Sequence, residues 1–179
     1  MRRRAALYLA SAAALLLLGV AVSGCGEEAT AEVAEGEPLE LAGLKYNVQI
    51  TRFLNPDDAE DQGYLVGQPQ LKPGNAYLGV FMVISNDSDE ERPSASDFTV
   101  VDTLHTEYKP NESESPYALD LGTSVPAHGS VPLVNTTAQT GPNHGSLLIF
   151  PVSDDVSDNR PLRLEIHTFE GDGDVILDI

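Results

Sequence analysis

The chain has 179 residues, with 10 Lys and Arg against 28 Asp and Glu, a formal net charge of −18. A surface this acidic repels nucleic acid and anionic headgroups, which removes both as charge-driven partners and leaves basic peptides and cations as compatible ones. The single cysteine rules out an intrachain disulfide, so any domain must be held by its apolar core.

Arg2, Arg3 and Arg4 form a basic start, and residues 5–22 are an uncharged run of 18 rich in Ala and Leu. A basic n-region, an apolar run and small residues before a break describe a secretory signal peptide over residues 1–24. Val22-Ser23-Gly24-Cys25 resembles the lipobox of bacterial lipoproteins, in which a diacylglycerol is attached to the cysteine thiol before cleavage. The resemblance implies lipidation at Cys25 and a chain held on the extracytoplasmic face of the cell membrane. An uncleaved signal anchor is the alternative, since 18 apolar residues can just span a bilayer. Without the three leader arginines, seven basic residues face 28 acidic ones, a net charge of −21.

Residues 26–43 hold six glutamates, one proline and few large apolar side chains. Such composition does not offset ordering entropy, so residues 25–43 are expected to be a lipidated cysteine on a flexible acidic tether. From Leu44 the pattern has period two: Tyr46, Val48 and Ile50 alternate with Asn47, Gln49 and Thr51, a strand with one wet face. Residues 55–74 are rich in Pro, Gly and Asp and read as a long loop with one short strand at 64–66.

Residues 77–84 are the longest apolar run after the leader. Leu78, Val80, Met82 and Ile84 share one parity, and Tyr77, Gly79, Phe81 and Val83 share the other. This pattern predicts a central strand buried on both faces. A polar loop over 86–96 follows, then a hairpin of 97–102 with 106–108. Short strands are expected at 118–121, 131–134, 147–152, 162–167 and 175–179, with Pro132 confining its strand to an edge. No helical stripe and no internal repeat stand out after the leader. Seven to nine short strands over residues 44–179 therefore predict an all-β, antiparallel, immunoglobulin-like β-sandwich, with a closed barrel as the runner-up.

The run ending in Ile84-Ser85-Asn86, then Ser96-Asp97-Phe98-Thr99-Val100-Val101-Asp102, then Glu107-Tyr108-Lys109-Pro110 resembles a telokin-like, immunoglobulin-type domain of unknown function. That domain is common in lipoproteins and secreted proteins of Gram-positive bacteria and related groups. The likeness covers residues 44–166 in blocks. It departs at Ala127-His128, which interrupts the family's proline–glycine turn, and at the long 55–74 loop. It implies an extracellular sandwich with no catalytic residue to carry over.

Cys25 is spent on lipid, and no Gly-x-Ser-x-Gly elbow or His-Glu-x-x-His motif occurs. His105, His128, His144 and His167 are scattered through the chain, so no catalytic residues are assigned and no enzyme is expected. Met82 is the only methionine after the leader, which excludes a methionine-rich copper site. Two acidic stretches, 87–91 and 170–174, place carboxylates at alternate positions in expected loops. Asp87, Asp89, Glu91, Asp172 and Asp174 are thus candidate calcium ligands, set against a reading as solvated turns. Neither stretch is an EF-hand, because Arg92 stands where its glycine would be and Phe98 where its glutamate would be. The expected function is a non-enzymatic binding or interaction module of the cell envelope, joined to the membrane by lipid and to an unknown envelope protein or ligand. The alternatives are a calcium-stabilised adhesion-type domain and a structural accessory domain without ligand.

Overall fold

The structure, a computed structural model, describes residues 30–179. The signal peptide, Cys25 and the first part of the expected tether lie outside the described residues. Twelve strands run in the order β1 Ala31–Ala34, β2 Leu39–Leu41, β3 Leu44–Leu54, β4 Asn75–Ser85, β5 Arg92–Pro93, β6 Asp97–Val101, β7 Glu107–Tyr108, β8 Ser124–Val125, β9 Ser130–Val131, β10 Ser146–Ser153, β11 Leu162–Thr168 and β12 Gly171–Leu177. One sheet has the order β1-β12-β11-β6-β7. The other has β10-β4-β3-β2, with β9 on the end of β4, and β5 pairs β8 beside them. All of these pairings are antiparallel except β1 with β12. The chain is an all-β sandwich.

The expected central strand is β4, and it is buried on both faces for two different reasons. Leu78, Val80, Met82 and Ile84 face the other sheet and join Tyr46, Val48, Phe98, Val100, Phe150, Leu164, Ile166 and Val175 in the main core. Tyr77 and Phe81 point the opposite way, into a second cluster with Leu54, Tyr64, Leu147 and Ile149. Gly79 lies between them because Leu54 and Leu147 fill the space: a Cβ there would come within 3.0 Å of Leu54 Cδ1 and 3.2 Å of Leu147 Cδ1.

The lid on this second cluster is the 55–74 loop. Residues 64–66, expected as a strand, form a turn instead, and Tyr64 stands edge-on to Phe81 with centroids 5.2 Å apart. Asp61, 4% exposed, pins the lid to β3. Its Oδ1 accepts from Arg52 Nη2 at 2.5 Å, and its Oδ2 accepts from Arg52 Nη1 at 3.2 Å and Asn55 N at 2.8 Å. The Arg52 guanidinium also sits 5.5 Å from the Tyr64 ring centroid. Burial acts to raise the Asp61 carboxyl, but Arg52 and the Asn55 N–H outweigh it and hold the group below its usual range.

The expected tether does not extend to residue 43. Residues 31–41 are folded: β1 lies parallel on β12 with Ala31 opposite Gly173, and β2 pairs β3 with Leu39 opposite Tyr46 and Leu41 opposite Leu44. The glutamates hide a Leu-Glu-Leu alternation that buries Leu39 and Leu41 and exposes Glu40. Ala42 at φ 50 and Gly43 at φ 71 close a two-residue turn with both residues left-handed, the twist that suits an antiparallel hairpin.

The expected last strand also begins earlier, at Gly171, so residues 171–174 are strand rather than loop. Gly173 permits this, because a Cβ there would meet Leu39 Cδ2 at 2.8 Å where β2 crosses close to β12. The 118–121 strand reduces to a bridge between Ala118 and Leu147, and 131–134 reduces to Val131, the residue before Pro132. A closed barrel is not formed.

Candidate functional site

The outward face of the β1-β12-β11-β6 sheet carries an array of alternating charges on ordered backbone. Arg163, Glu165 and His167 alternate with the buried Leu162, Leu164 and Ile166 along β11. Register sets their neighbours: Glu165 is opposite Asp174 on β12 and Thr99 on β6, and His167 is opposite Asp172 and Asp97. Arg163 Nη2 donates to Glu165 Oε1 at 2.9 Å, and its Nε lies 3.4 Å from Asp174 Oδ2. His167 Nδ1 lies 3.1 Å from Asp172 Oδ1. Lys109 Nζ donates to Asp97 Oδ1 and to Thr99 Oγ1, both at 2.6 Å.

These contacts split the titration behaviour of the strip. Burial pushes the Asp174 carboxyl above its usual range, Glu165 and Glu32 push the same way, and Arg163 and His167 offset only part of the rise. Asp97 goes down, because its hydrogen bond from Lys109 and that cation's charge outweigh burial. The face is a half-buried ladder of opposed charges with excess carboxylate. Its chemistry suits recognition of a cationic group.

The five carboxylates expected as calcium ligands are not brought together. Asp87 Oδ2 lies 2.8 Å from Lys45 Nζ, and Asp89 Oδ1 lies 2.8 Å from His128 Nε2. Glu91 is exposed, and Asp172 and Asp174 point toward His167 and Arg163 from β12. Among the described residues, no group of three or more His, Cys, Asp or Glu side chains gathers to hold a metal ion. The 87–91 turn takes its shape from Asn86, 1% exposed. Asn86 Nδ2 donates to Glu90 O at 2.8 Å and Val125 O at 3.0 Å, and its Oδ1 accepts from Ser88 N and Oγ. Every polar position of that amide is filled by protein groups.

The histidines are spread out as well. His105 and His128 occupy left-handed turn positions at φ 60 and 52, and His167 is on β11. The strand expected at 162–167 is β11, and Arg163, Glu165 and His167 alternate along it. Their partners on β12 are hidden in the sequence, because Gly171 and Gly173 alternating with Asp172 and Asp174 have the composition of a turn. Asp61 carried no signal beyond its place in an acidic loop.

No family model matches the chain, and no curated protein matches it. Its fold does match solved structures. An uncharacterised β-sandwich protein from Clostridium difficile 630 aligns over 83% of this chain and 95% of its own, with 14% identity and a TM-score of 0.50. This likeness shows the fold. The yjhA protein from Bacillus subtilis aligns over 81% and 98%, with 13% identity and a TM-score of 0.52. A candidate lipoprotein from Bacillus subtilis, ycdA, aligns over 80% of this chain at 13% identity and a TM-score of 0.50. The present chain covers only 38% of ycdA.

Proposed function

We propose that this protein is a membrane-anchored, extracytoplasmic lipoprotein whose sandwich is immunoglobulin-type and acts as a non-enzymatic interaction module of the cell envelope. The observation that carries the reading is the placement of the lipobox cysteine directly ahead of an ordered sandwich: Cys25 precedes the first strand residue, Ala31, by six positions. Among the described residues no helix is long and apolar enough to cross a membrane. The candidate lipoprotein among the structural neighbours favours the same placement, and the telokin-like resemblance favours the immunoglobulin type.

The interaction role draws on the charged ladder of β11 and β12, where carboxylates outnumber their basic partners. A cationic segment of an envelope protein is the partner chemistry this face would take, and nucleic acid is not. The test of the anchor is Cys25→Ala in cells fed a labelled fatty acid. Wild type should carry label in the membrane fraction, and the variant should carry none and persist as a leader-bearing precursor or be released. Label that survives the substitution would overturn the reading.

A further inference from the structure

Because β1 runs parallel to β12, its first residue, Ala31, lies at the end of the sheet from which β12 starts, near the turn joining β11 to β12. Ala31 is level with Gly173, and Thr168 is opposite Gly171, so the turn residues Phe169 and Glu170 project beyond Ala31 by roughly 10 Å at strand spacing. Phe169 is 77% exposed, more than any other large apolar side chain of the described residues. Phe169 also lines a notch of about 380 Å³ whose wall mixes Ala42, Pro93 and Ala95 with the polar Ser94, Ser96 and His167.

Six residue steps separate Cys25 from Ala31, and they span at most about 20 Å. Cys25 therefore reaches no more than about 10 Å past the Phe169 tip. A lipid on Cys25 sets this end of the sandwich against the bilayer and leaves the opposite end, with Leu104 between β6 and β7, facing away.

We propose that the β11–β12 turn is a bilayer contact in which Phe169 enters the interfacial region beside the anchor, fixing the orientation of the domain. The inference rests on lipidation at Cys25. Charge does not drive the contact. Near this end Lys45 pairs Asp87 and Lys109 pairs Asp97, which lessens repulsion without creating a basic patch. An apolar tip next to a covalent anchor needs only modest affinity, because the anchor already holds it at the surface.

The chain contains no tryptophan, so Phe169→Trp and Leu104→Trp each give a single reporter at one end of the sandwich. Both full-length variants are prepared in lipidated form and reconstituted in phosphatidylcholine vesicles with or without brominated acyl chains. The Phe169→Trp protein should lose emission in the brominated vesicles, and the Leu104→Trp protein should not. Equal emission in the two vesicle types for Phe169→Trp, in protein that floats with the vesicles, would overturn the contact alone. Equal loss from both reporters would overturn the orientation. Failure of either protein to float with vesicles would instead remove the lipid anchor and the contact with it.

Discussion

Leu39→Ala separates a folded β1–β2 segment, with β1 on β12 and β2 on β3, from a flexible stretch. Leu39 is 1% exposed, opposite the fully buried Tyr46 and packed over Gly173 of β12. Truncating a buried leucine costs about 2–5 kcal/mol through lost transfer energy and the cavity left behind. Leu39 is on an edge strand that can relax, which favours the lower half of that range, about 2–3 kcal/mol. With a urea m-value near 2 kcal/mol/M, the unfolding midpoint should fall by roughly 1–1.5 M with m unchanged. Glu40→Ala, on the exposed side of the same strand, should stay within about 0.5 kcal/mol of wild type. A Leu39→Ala midpoint equal to that of Glu40→Ala would refute the folded segment and restore a flexible stretch up to residue 43.

Asp61→Ala removes three hydrogen bonds to a buried carboxylate and should cost about 2–3 kcal/mol in denaturant unfolding, with faster proteolysis in the 55–74 loop. The Asp61 carboxyl is held below its usual range when folded. Its contribution is therefore complete above the unfolded-state pKa and lost as pH falls through the folded one, so wild type and variant should converge in acid. Asp174 has the opposite sign: its raised folded pKa makes the ionised form a penalty at neutral pH. Asp174→Asn should be at least as stable as wild type at pH 7, an advantage that disappears once pH falls below the usual aspartate range. Millimolar calcium at matched ionic strength should leave the melting temperature where magnesium leaves it, since the acidic positions pair with Lys45, His128, His167 and Arg163 rather than converge. A calcium-specific rise would overturn that geometry.

The fold class was legible because burial writes itself into hydrophobic patterning. Residues 77–84 announced a strand covered on both sides, and 97–108 announced a hairpin at nearly the bounds of β6 and β7. The errors fell where acidic composition masked pairing. Leu39 and Leu41 are two residues in a glutamate-rich stretch, and their strand exists only because β3 and β12 lie beside it. Asp172 and Asp174 alternate with glycines, which in isolation signals a turn. Here Gly173 is the concession to Leu39 that lets β12 run through. Both segments meet at one close approach, where Leu39 of β2 packs over Gly173 of β12. The lid on Phe81 was legible as a loop, but its anchor was not. Asp61 gains its role from Arg52 nine residues earlier, across a turn that local pattern does not encode.

The measurement that bears most directly on the envelope-lipoprotein account is intact mass spectrometry of the protein extracted from membranes. The account predicts a chain that begins at Cys25 and carries the added mass of a diacylglycerol on that residue, with residues 1–24 removed. Two acyl chains are enough for stable anchoring at about 0.8 kcal/mol per buried methylene, where one would hold only reversibly. A mass that retains residues 1–22 with an unmodified Cys25 would contradict the account and identify the leader as a signal anchor.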